Sequence, residues 1–153
     1  MPTKKATPAD AQVLMQLYDL RRESEMRKAR KWWLVDFWPN SADDFMKVAR
    51  SMGTQENAWL RQVGGYWGMA ASFVLSGAVN QELFLQPAIC GEMFFVFGKV
   101  YPFLAELRKE LDDPEVFGNI EKVVKGTKFG RDRLQFTLKR IAAAKERMAA
   151  HKS

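Results

Sequence analysis

Glu92 and Lys99 stand seven residues apart, with Phe94, Phe95, Val96 and Phe97 between them, in a stretch otherwise nearly free of polar side chains. Seven residues make two helical turns, so both ions occupy one face of the helix that carries them. A carboxylate in apolar surroundings has a raised pKa and can act as an acid or base. The competing arrangement is a structural ion pair across helices, for which Arg21 and Arg22 are the expected partners. With Tyr66, these residues are the ones from which a buried polar pocket could be built.

The common routes of catalysis lack their parts. His151, the one histidine, lies near the chain end, which removes most Ser-His and Cys-His arrangements and the histidine ligands of many zinc and iron sites. No Glu-x-x-His pair and no glycine-rich phosphate loop occurs. Cys90, beside Gly91 near an expected helix start, could be an activated thiol. No basic residue or histidine adjoins it, so a small buried core residue is the favoured reading. No residue is assigned a catalytic role, and no metal or cofactor is expected.

Two stretches carry binding chemistry. Arg27-Lys28-Ala29-Arg30-Lys31-Trp32-Trp33 interleaves cations with aromatics, the mix that grips phosphates or sits at a lipid interface. Helical spacing sends Trp33 into the core and leaves Trp32 and Trp38 as candidate surface contacts. Near the end of the chain, Arg133, Arg140 and Arg147 recur every seven residues, with Phe136 and Lys139 beside them. The net charge of +6 is concentrated there: residues 119–153 carry ten cations and three anions. An acidic macromolecule is the implied partner, with nucleic acid or an anionic membrane surface as specific forms. Homo-oligomerisation stays open.

The elements that must position these residues are helical. Apolar residues recur at three-and-four spacing throughout, and strand-like alternation is not sustained anywhere. Thr7, Pro8 and Asp10 make a helix start whose buried stripe is Val13, Leu14, Leu17 and Leu20. A second stripe, Met26, Ala29, Trp33 and Phe37, points to nearly the opposite side, which implies a break near Arg22 to Glu25. Pro39 ends that helix, and Ser41 with Asp44 makes a capping box for a short one that stops near Gly53. Asn80 caps a short turn, and Pro87 opens a long helix to about residue 111 with Pro102 in its middle to kink or split it. Asp113 and Pro114 open a helix to about Lys125, and the last helix runs from about Arg131 to Ala150.

Between Arg61 and Glu82 lie twenty uncharged residues, long enough for a membrane span. Gly64, Gly65, Gly68, Ser72, Ser76 and Gly77 dilute its hydrophobicity, and the favoured reading is the interior helix of a soluble bundle, over about 55–77. Small residues at 64, 68, 72 and 76 fall on one face, where close approach of a neighbouring backbone is expected.

Tyr18-Asp19-Leu20-Arg21-Arg22-Glu23, Met26-Arg27-Lys28-Ala29-Arg30 and Tyr66-Trp67-Gly68-Met69-Ala70-Ala71-Ser72 resemble motifs of an uncharacterised family of small bacterial all-helical proteins, a domain of unknown function. The similarity covers about residues 8–125. It implies a bacterial, helical protein and supplies no activity, cofactor or site residue.

The expected architecture is therefore all-α, a single-domain helical bundle of six to eight helices over residues 1–153, with 126–153 a basic C-terminal helix. One cysteine and no basic-then-apolar start imply a cytoplasmic location. The expected role is binding or scaffolding for a macromolecular partner. The alternative is a membrane-associated protein held by helix 62–81 or by the basic-aromatic segment 27–38. Third comes a small-ligand protein or enzyme using the Glu92, Lys99 and Tyr66 pocket.

Overall fold

The computed structural model describes residues 4–152, and among them every regular element is helical. In chain order these are α1 (Pro8–Leu20), α2 (Ser24–Lys31), a π-helical turn (Trp32–Asp36), α3 (Ala42–Ala49), α4 (Gln55–Leu75) and α5 (Gln81–Phe84). They continue with α6 (Pro87–Val100), a 3-10 turn (Tyr101–Phe103), α7 (Leu104–Glu110), α8 (Gly118–Lys125) and α9 (Lys128–His151).

Side-chain oxygens accept the unpaired backbone N–H groups at most starts. Thr54 accepts from Asn57 N at 3.2 Å, Thr127 from Gly130 N at 3.0 Å and Asn80 from Leu83 N at 2.8 Å. Asp10 accepts from Thr7 N at 2.7 Å and, with its other oxygen, from Asn80 N at 2.9 Å, so one carboxylate ties the start of α1 to the turn before α5. Those N–H groups, Thr7 first, hold its carboxyl below the usual range.

The two apolar helices α4 and α6 form the centre of the bundle. Helices α2 and α8 pack on α4, α9 lies along α6, and α3 bridges α4 and α7. Val63, Trp67, Ala70 and Ala71 of α4 and Met93, Phe94, Phe97 and Val100 of α6 are fully buried. Among the described residues, the helical stretch long and apolar enough to cross a membrane is Pro87–Glu110, whose most apolar 18 residues are 61% buried inside the bundle, and not the uncharged stretch 62–81.

Several sequence expectations shift. Pro102 splits its helix, as its missing N–H requires, into α6 and α7 around the 3-10 turn. Helix α8 starts at Gly118 and not at Pro114, because Phe117 adopts a left-handed conformation (φ 56°) that interrupts helical geometry. Helix α9 starts three residues earlier than expected, at Lys128, because Thr127 is its cap. The glycine face of α4 is not a close-packed seam. A Cβ built on Gly64, Gly65 or Gly68 meets nothing within 4 Å, and these residues floor a groove of about 520 Å³ walled by Phe45, Leu60 and Ile120.

Close packing occurs instead at the α8–α9 turn, where a Cβ on Gly130 would lie 2.0 Å from the Val124 carbonyl oxygen. Only glycine lets the two backbones pass. Gly130→Ala should therefore destabilise by roughly 1–3 kcal/mol through forced overlap. Gly68→Ala should stabilise by about 0.5–1 kcal/mol through helix propensity alone. Chemical denaturation of the two variants checks both signs.

Candidate functional site

Glu92 reaches out of α6 toward the C-terminal end of α1 and the middle of α2. Its side chain is 5% exposed. Arg30 Nε donates to both carboxylate oxygens at 3.0 Å, and Arg21 approaches one of them at 3.5 Å. The sequence named Arg21 as a partner and missed Arg30, whereas Arg22 is exposed and takes no part. Arg30 could have been found: it lies four residues after Met26 and three before Trp33, on the edge of the stripe that packs inward. The same cluster satisfies the end of α1. Tyr66 Oη donates to Leu17 O at 2.6 Å, and Arg30 Nη1 donates to Arg21 O at 3.3 Å. Burial is the main reason the Tyr66 hydroxyl is pushed up to about 12, so it acts as a neutral donor.

Lys99 belongs to a different site. At 1% exposure it is the most deeply buried lysine, and its Nζ donates to the carbonyl oxygens of Trp33 and, at 2.6 Å, of Phe37. The Trp38 ring lies 3.7 Å from Nζ and the Phe95 ring 4.8 Å. The π-helical turn explains this geometry. Phe37 N bonds Trp32 O, five residues back, which leaves Trp33 O free to accept from the lysine. Glu92 and Tyr66 thus share one cluster and Lys99 stands apart, so the three do not line one pocket. Burial pushes the Lys99 ammonium down to about 7, Lys145 adds to that, and Asp36 opposes it. A neutral amine keeps two N–H donors, enough for both carbonyls.

Of the two candidate surface tryptophans, Trp32 is 8% exposed and stacked on Phe37 at 4.4 Å between ring centres, which takes it out of reach of a partner. Helical extrapolation placed it outside, but the π-turn rotates the residues after Lys31. Trp38 is half-buried, with its face against Lys99 and its indole N–H given to Val35 O at 2.8 Å. The basic-aromatic run therefore does not form an aromatic surface.

Helix α9 does present one. Phe136 is 45% exposed, with the Arg133 guanidinium carbon 4.5 Å and that of Arg140 5.5 Å from its ring centre. Arg147 is exposed further along the helix. The opposite face anchors the helix: Leu134, Thr137 and Ile141 are buried, and Lys145 Nζ donates to Pro39 O and Asn40 Oδ1, each at 3.0 Å.

Cys90 is buried, and burial pushes its thiol up to about 12, far from the reactive range. Among the described residues, no three His, Cys, Asp or Glu side chains converge on a point that could hold a metal ion. A second groove, of about 660 Å³, is lined by Val74, Val79, Leu85, Pro87 and Phe129 with Lys4 at its edge.

The family model for a domain of unknown function, DUF4760, matches residues 6–127, most of the chain. The protein belongs to this family. No curated protein and no solved structure matches it. The matched DUF4760 region spans both ion clusters, α1 to α8, while the arginine-bearing α9 lies beyond it.

Glu92→Gln leaves two arginines without their counter-charge, one held at a side-chain exposure of 12%. It should cost roughly 3–5 kcal/mol in denaturant unfolding, as breaking a buried pair does. Lys99 generates a pH dependence. Its folded pKa of about 7 lies below the ordinary 10.5, so above pH 7 unfolding takes up a proton and stability rises with pH. From about pH 9 the rise levels off, because the unfolded Cys90 thiol ionises there and the folded one only at about 12, and Tyr66, raised from 10.0 to about 12, turns the trend downward at higher pH. In Lys99→Met the rise should vanish, which denaturation midpoints taken from about pH 6 to 9 will show.

Proposed function

We propose that this protein is a helical binding module for an acidic macromolecule and that the exposed face of α9 is its contact surface. The observation that supports this reading is Phe136, a large apolar ring left 45% exposed and flanked by the guanidiniums of Arg133 and Arg140. A guanidinium resting on an aromatic ring keeps its N–H groups directed outward, ready for phosphate or carboxylate oxygens. Among the described residues, none of Arg133, Arg140 and Arg147 is in an ion pair, so binding would sacrifice no existing one. The ring adds a stacking platform that a plain cationic patch lacks, which favours single-stranded nucleic acid over other polyanions.

A rigid support strengthens the case. Helix α9 is fixed to the core at Leu134, Thr137 and Ile141 and tied at Lys145, so its outer face is held in one orientation. Preorganised cations lose less side-chain freedom on binding than cations on a loose tail.

Changing Arg133, Arg140 and Arg147 together to glutamine should leave the melting temperature nearly unchanged and weaken binding to a labelled single-stranded oligonucleotide. The slope of log affinity against log salt should shrink by about 0.7 for each lost phosphate contact on a single strand. Fluorescence anisotropy across a salt series measures both, with anionic vesicles as the second arm. No binding by the wild type to either at low salt, or binding that the triple variant keeps, would defeat the reading.

A further inference from the structure

The corner where α1, α4 and α6 meet carries positive charge that its partners do not cancel. Arg21 and Arg30 face the single carboxylate of Glu92, and they share it unequally. Arg30 gives Nε to both oxygens at 3.0 Å. Arg21 stands 3.5 Å from one oxygen and reaches Ile89 O at 3.4 Å, both at the edge of hydrogen-bonding range. Tyr66, the neutral neighbour, has its hydroxyl committed to Leu17 O at 2.6 Å. Arg21 is therefore a largely buried cation with a weak partner.

Two N–H donors at this corner also lack acceptors. Arg21 Nε and Trp67 Nε1 are both buried without a hydrogen-bond partner. Buried donors are normally satisfied, so a pair of orphans in one place calls for a ligand. Both residues line the same small cavity, of about 50 Å³, with Leu14, Leu17, Phe84 and Ile89 as its apolar wall. The Arg21 guanidinium lies over the Trp67 ring, its carbon 5.3 Å from the ring centre, so the two unpartnered side chains are direct neighbours.

We propose that this cavity binds a small monovalent anion of halide size, which accepts from Arg21 Nε–H and Trp67 Nε1–H. Charge selects the class: two guanidiniums against one carboxylate leave a surplus of one, which a monovalent anion neutralises and a dianion overshoots. Size permits it, since one water-sized sphere needs about 10–15 Å³ and the cavity holds a halide with room to spare. A water molecule also fits, since Leu17 O and Tyr66 Oη keep lone pairs for its hydrogens, but water leaves the surplus charge of the corner uncancelled and a monovalent anion does not. The bound ion would join the end of α1 to the middle of α4, making the stability of the bundle depend on which anion is present.

Bromide is the probe. In the wild type, bromide replacing gluconate at constant ionic strength should raise the melting temperature saturably, by about 2–4 °C once bromide exceeds its Kd about fivefold. Trp67→Phe keeps a ring and removes the donor, and should abolish the rise. Crystals grown in bromide should show an anomalous peak within hydrogen-bonding distance of Arg21 Nε and Trp67 Nε1, a readout that stands even if the variant fails to fold. A melting temperature indifferent to bromide, a rise that Trp67→Phe retains, or a site occupied by water with no anomalous signal would each overturn the proposal.

Discussion

Helix α6 is covered around nearly its whole circumference, with Lys99 buried and the Glu92 side chain only 5% exposed. Burying a charge without a partner is more costly than any single packing contact can offset, so the neighbours of α6 must supply partners. They do so at opposite ends of the helix. In the first half of α6, two guanidiniums, Arg21 just after α1 and Arg30 of α2, converge on the carboxylate; near its end, the Trp33 carbonyl released by the π-turn and the Phe37 carbonyl after it receive the lysine. Helix α2 and the turn that continues it thus contribute to both sites. The irregular geometry at Trp32–Asp36 is what lets one short segment reach both ends of α6.

The surface follows from the same arrangement. Trp32 and Trp33 are drawn inward by the turn and stack around Phe37, and Trp38 is occupied by Lys99. That leaves the basic-aromatic run of α2 with cations but without exposed rings, and moves the exposed pairing of aromatic and arginine to α9. Helix α9 can serve as a platform because the Gly130 crossing with Val124 starts it tightly against α8, and Gly98 lets Ile141 and Thr137 settle onto α6.

Much of the fold was legible in the sequence, for reasons that are local. The caps at Thr7, Ser41 and Asn80, the break before α2 and the split at Pro102 all depend on residues within a few positions of each other. What escaped was set by distant partners. The glycine face of α4 has the spacing of a tight helix seam, but whether a neighbour fills it depends on where α7 and α8 lie. Phe117 in a left-handed conformation is invisible to propensity, since bulky residues seldom adopt it. At the candidate site, the partnership of Glu92 with Arg21 was readable from helix faces, and Arg30 could have been added by extending the stripe. The pairing of Lys99 with carbonyls was not readable, because it requires a π-turn that no spacing rule announces. Phe136 was noticed only as a neighbour of the arginines, and its exposure is a property of the packed helix.

The segment from Trp33 to Asn40 is held by two lysines from far along the chain. Lys99 is 66 positions from Trp33, and Lys145 is 105 from Asn40. Contacts this remote slow folding, because the loop they close must be ordered before they contribute. On the ribosome the consequence is sharper. Helices α1 to α4 emerge with their own caps and can begin to form, but the carbonyls between α2 and α3 keep water as their partner until α6 has been made, and the last of them until most of α9 has followed. The N-terminal third of this protein is completed by its C-terminal end, so a chain truncated before Lys145 leaves an unfinished structure more than a hundred residues upstream of the cut.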